Sequence, residues 1–216
     1  VRLSTAVADN HGDIGSNAVD LSYSDSASTT NGATGYASTA MGYLTTASGS
    51  ISTAMGYETT ASGEVSTAMG QSTEASGDYS TAMGRDTEAS GNFSTAMGYE
   101  TTASGEVSTA MGELTEASGE VSTAMGAFTT ASGSRSTAMG YETTASGEVS
   151  TAMGQSTEAS GDYSTAMGRD TEASDYGSLV IGQYNSSGSS ATSADSFNTA
   201  NTAFVIGNGT DTGVDA

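Results

Sequence analysis

The chain has 216 residues, 25 of them acidic against four cationic, and carries a formal net charge of −21. That balance argues against nucleic acid and anionic membrane surfaces as partners, because like charges repel before contact is made. It contains no Cys, Pro or Trp, which excludes thiol chemistry and disulfide frameworks but assigns no compartment.

The opening stretch, residues 1–32, follows no clear period and is expected to form an irregular N-terminal cap. It shows neither the charged and apolar regions of a secretory signal nor a membrane span, so the piece in hand is expected to be soluble. His11, the single histidine, stands near Asp9, Asn10 and Asp13. Such oxygens can line a metal loop, but the expected reading is a solvated terminal segment that binds no metal.

A repeat governs residues 33–182. The pentapeptide S-T-A-M-G returns with a 14-residue period, and all ten methionines fall on it: Met41, Met55, Met69, Met83, Met97, Met111, Met125, Met139, Met153 and Met167. A Thr, then Ala-Ser and usually a second Gly follow each one, as at Thr59, Ala61, Ser62 and Gly63. The whole stretch from Tyr57 to Ser90 recurs unchanged from Tyr141 to Ser174, an offset of six periods. Two glycines per repeat, set among Thr and Ser, disfavour a helix. Two short extended segments per repeat, with bends near Gly56–Glu58 and Gly63–Val65, fit better. Such a chain winds into an all-β solenoid of parallel sheets, each coil advancing by one strand spacing of ~4.8 Å.

Alternation sorts the faces. The position occupied by Thr60 holds Glu at 74, 88, 116, 158 and 172, so it faces water, and Thr59 and Ala61 face inward. Along Ser52–Gly56 one face carries Ser, Ala and Gly and the other Thr and Met. Alternation does not decide which of these points in. If Met points in, the coil fills its own core. If Ala points in, the methionines form an outer stripe that a soluble protein is expected to cover.

In residues 183–216 the period breaks. Ile181 and Ile206 hold successive Met places but stand further apart than one period, so "NSSGSSATSADSFN" contains an insertion expected to bulge as a surface loop before a closing segment.

The run S-T-A-M-G-x-x-T-x-A-S-G resembles the "SVAIGxxAxAxG" head repeat of YadA-like trimeric autotransporter adhesins. "SLVIG" at Ser178 to Gly182 and "AFVIGNGT" at Ala203 to Thr210 are similar to the closing part of such heads. The resemblance implies a left-handed parallel β-roll with 14-residue coils, assembled as a parallel homotrimer. It implies that the ten methionines, with Ile181 and Ile206, face the trimer interface. It further implies a bacterial cell-surface location, with anchoring in the outer membrane through parts absent from this sequence.

Catalysis finds no support: there is no Cys, Lys, GxSxG elbow or GxxxxGK loop, and recurring acidic pairs such as Asp86 with Glu88 read as a charged face. No catalytic residue, metal or cofactor is expected. The leading function is a multivalent adhesive head that attaches to host cells or extracellular matrix. Variable positions 57, 58, 60, 64 and 65 present its contacts, and Tyr57, Tyr99 and Tyr141 are the candidates. The alternative is a monomeric ice-binding solenoid that uses ranks of Thr such as Thr53 and Thr59.

Overall fold

The computed structural model describes residues 8–185 and 193–209. They form two compact units, Val1–Val107 and Ser108–Ala216, and each is a parallel β-solenoid. In the first unit the long strands Val19–Tyr23, Thr39–Tyr43, Thr53–Tyr57, Thr67–Gln71, Thr81–Arg85 and Thr95–Tyr99 pair in sequence order. Opposite them lie the short strands Gly32–Ala33, Thr46–Ala47, Thr60–Ala61, Glu74–Ala75, Glu88–Ala89 and Thr102–Ala103. The second unit repeats the plan with long strands from Thr109–Glu113 to Phe204–Asn208 and short strands from Glu116–Ala117 to Glu172–Ala173. Register is kept residue for residue, Ala54 beside Ala68 and Met55 beside Met69.

The interior is narrow. Ala54 and Ala61 and their equivalents are fully buried, as are the Thr59 and Ser52 series, and in the regular coils no fully buried side chain is larger than threonine. Thr59 and Ala61 thus face inward as expected. Ala54 decides the question that alternation left open: it points in, and Met55 points out. A coil this thin buries little apolar surface, so its order rests on the backbone, where coil donates to coil in every segment. Thr53 N–H reaches Ser66 O at 2.9 Å, Thr60 N–H reaches Thr73 O at 2.8 Å and Ser62 N–H reaches Ala75 O at 2.9 Å.

Both corners are left-handed. Glu58 and Val65 have φ of 52° and 56°, and nearly every coil repeats this pair. The conformation costs an L-residue about 1–2 kcal/mol and is worst for a β-branched one. The corners hold because their N–H groups are used, Glu58 donating to Tyr43 O and Val65 to Ser50 O, both at 2.8 Å. Gly56, with φ of 129°, marks where strand meets corner. A Cβ there would fall on the carbonyl oxygen of Gly70 in the next coil, so no other residue fits.

Both ends depart from the repeat. Leu21 pairs with Met41, a wider step than the one from Met41 to Met55. Val19–Tyr23 is therefore a coil strand whose onward connection is longer than in the regular repeats. At the other end Ile181 pairs with Ile206, which keeps the expected register across the insertion. Residues 186–192 of that insertion lie outside the described residues. Its described remainder is tied to the coil at Ser193 and Ala194, whose carbonyls accept the Tyr176 and Asp162 N–H groups at 2.9 and 2.7 Å, and residues 194–200 are exposed, as a surface loop would be.

Candidate functional site

The surface of a coil is built from a few files of side chains, each repeating once per coil. The long-strand face carries the Thr53 and Met55 files and then position 57. The Met side chains are half-buried, apart from Met41 at 41 % exposed. They lie in register, Met41 beside Met55 and Met125 beside Met139. Ile181 continues the second unit's file half-buried, and Ile206 is 66 % exposed.

Position 57 does not present equal tyrosines. Tyr57 stacks on Tyr43, ring centroids 5.1 Å apart, and Tyr43 in turn lies 5.9 Å from Tyr23. Tyr99 sits beneath the Arg85 guanidinium at 4.9 Å. Tyr141 meets Phe128 edge-on at 5.6 Å. Acidic neighbours raise the pKa of three of these phenols, Tyr43, Tyr57 and Tyr99. Tyr43 O–H donates to Asp25 Oδ2 at 2.9 Å, and that bond, with some burial and the Asp25 charge, pushes its pKa up to about 12. Tyr57 is raised mainly by the charge of Glu58, and Tyr99 by its hydrogen bond to Glu100.

His11 is not solvated. It is 6 % exposed, over fully buried Asp20 and nearly buried Ser22. Ser22 Oγ donates to Asp20 Oδ1 at 2.6 Å, and His11 Nδ1 lies 3.3 Å from Ser22 Oγ and 3.8 Å from Asp20 Oδ2. The three residue types are those of a hydrolase triad, but the order is wrong: the serine proton points at the carboxylate, so histidine cannot take it. The cluster is a polar core for the first coil, with Asp20 in the place that Ala40 holds one coil on and Ser22 in that of Gly42. The expectation of a solvated segment failed because the partners of His11 lie further along the chain, on a strand that the sequence period does not mark. Among the described residues no group of three or more His, Cys, Asp or Glu side chains could hold a metal ion.

The ranks of threonine named for an ice face form no clean exposed array. Thr59 is fully buried, and the half-exposed Thr53 file shares its face with methionine.

A family model described as YadA head domain repeat (2 copies) matches residues 33–185 through ten overlapping windows, which begin at 33, 47, 61 and so on, one per coil. The chain belongs to the YadA head family. No curated protein matches the chain.

One of the variable files differs from the others. At the left-handed corner, position 65 holds, from the third long strand's coil onward in the first unit, Ile51, Val65, Tyr79, Phe93 and Val107, each 36–53 % exposed. A signal was there: of the five variable positions, 65 alone never carries a carboxylate.

Proposed function

We propose that the chain is a non-catalytic adhesive head that works as a parallel homotrimer of left-handed rolls. The carrying observation is the outward, in-register methionine file on a chain of the YadA head family. A polarisable thioether in every coil suits a face to be covered by another subunit, since Met packs against irregular apolar surfaces. In this reading the Met55 file, continued by Ile181 and Ile206, turns to neighbouring subunits. The variable files stay outside and bind a host cell-surface or matrix protein through many weak contacts, Tyr57, Tyr99 and Tyr141 among them. The head then stands at the bacterial surface on an outer-membrane anchor belonging to the full protein.

Light scattering tests the assembly. The expected mass is three times that of the 21.3 kDa chain, and a stable monomer at micromolar concentration sinks the proposal. Met97→Asp with Met111→Asp should loosen association far more than Glu100→Lys, because an unpaired carboxylate is costly in an apolar seam and cheap in water. Adhesion to immobilised matrix should fall when Tyr57, Tyr99 and Tyr141 become Ser.

A further inference from the structure

The corner file of the first unit combines three properties that the coil itself does not require. Its residues are apolar, exposed and held at φ between 56° and 59°. Asn and Gly relieve a left-handed corner, and both occur at this place in other coils, Asn17 near the start and Gly177 near the end. Val65, Val107 and Ile51 are among the least suitable choices for the backbone. Their side chains point to solvent, so the gain that offsets their strain lies outside the coil. Tyr79 and Phe93 cover each other in part, stacked at 5.1 Å, yet stay half exposed. Directly beside the ridge runs position 64, exposed throughout, with Ser50, Glu64, Asp78, Asn92 and Glu106. At one strand spacing per coil the apolar file runs on the order of 20 Å and the carboxylates beside it on the order of 15 Å.

We propose that this ridge is a docking surface for an extended cationic segment with alternating apolar side chains. The apolar groups would lie on the Val65–Phe93 file and the cations beside the position 64 carboxylates. The inference goes beyond the adhesive reading and does not use the methionine seam. Charge complementarity selects the occupant. The exposed carboxylates of Glu64, Asp78 and Glu106 attract a cationic peptide and would repel the same file on a second copy.

The test uses the whole chain and a fluorescent peptide of alternating Lys and Phe, with a Lys–Ser peptide of equal charge as control. By anisotropy the Lys–Phe peptide should bind about tenfold more tightly than the control. The triple change Val65→Asn, Tyr79→Asn, Phe93→Asn should erase that difference and leave residual, salt-sensitive binding. Asn suits the left-handed corner, so the variant should melt at or above the parent, and circular dichroism checks this. Equal affinity for both peptides, or undiminished Lys–Phe binding by the folded triple variant, overturns the proposal. A changed mass for that variant in light scattering also overturns it, by assigning the ridge to a seam between copies. A monomeric parent that still binds the Lys–Phe peptide would refute the trimer and leave the ridge standing.

Discussion

Residues 57–90 and 141–174 are the same side chains in the same order, one set in each unit, and they build the same coils with different outer partners. Their backbones agree closely, with φ of 52° at both Glu58 and Glu142 and of 56° and 55° at Val65 and Val149. The N–H groups of Glu64 and Glu148 donate to Asp78 and Asp162 at 2.9 and 2.8 Å. Outside, the likeness ends. Tyr79 lies flat on Phe93, ring planes 4° apart, whereas Tyr163 meets Tyr176 at 61°. Asp78 N–H finds the Asn92 side chain, and Asp162 N–H finds the Ala194 carbonyl. The interior is thus decided within each coil, while the next coil decides what an outer side chain touches.

The hardest blow to that comparison is a change of period. Deleting Tyr99–Gly105 removes the short strand Thr102–Ala103 and leaves successive pentapeptides on opposite sides of the coil, so the β signal in circular dichroism should be lost. Deleting residues 57–140 merges the two copies, joins Gly56 to Tyr141 and should still give a folded protein. If the first variant is as stable as the parent, or the second unfolds, the 14-residue coil is not the folding unit.

Next in size come matched glycine changes. Gly70→Ala and Gly154→Ala place a Cβ against the next coil's carbonyl at φ of 131° and 134°. Each should lose ~2 kcal/mol or more in denaturant melting, and the two losses should agree within ~0.5 kcal/mol. Unequal losses would show that the interior also depends on its surroundings.

A smaller effect of opposite sign is expected inside. Thr73 and Thr157 hold the same place in the two copies, and their buried Oγ1 atoms have no hydrogen-bond partner among the described residues. Replacing each by Val keeps the shape and removes a desolvated hydroxyl, so both changes should stabilise by about 1 kcal/mol. A loss of stability in either copy would show that the hydroxyl is used.

The smallest effect is spectroscopic and belongs to the outer surface. Tyr43 donates to Asp25 only while protonated, and its folded pKa of about 12 exceeds the ordinary value of 10.0. Its contribution to stability is therefore complete below pH ~10 and lost as pH rises through the folded value. Ultraviolet titration should show the Tyr43 phenol ionising last, after the less strongly raised Tyr57 and Tyr99, and Asp25→Asn should bring it forward.

Much of this was legible from residues. Glu at the Thr60 place told which way Thr59 and Ala61 point, and the fixed spacing of methionine gave the parallel register. The direction of Met55 was not legible, because Ala and Met both fit a sheet face and only the width of the coil excludes the larger one. The places of the corners, near Glu58 and Val65, were legible from the glycines, but their left-handed backbone was not. Val, Ile and Phe give no sign of a left-handed backbone, and Asn17 and Gly177 are too few to reveal it. The first coil escaped because an enlarged connection breaks its period, and because Asp20 and Ser22 do not look like core residues until His11 is seen against them.

The glycine that follows each methionine has a consequence for inheritance. Because the next coil's carbonyl fills the space its side chain would need, a mutation there is judged by its neighbour as well as by its own coil. Packing thus ties each such glycine to the file, while positions 57, 58, 60, 64 and 65 answer only to what meets the surface. Copying by whole coils, of which the identity of 57–90 and 141–174 is the mark, would leave each product with a core matched to itself and a new order of outer side chains.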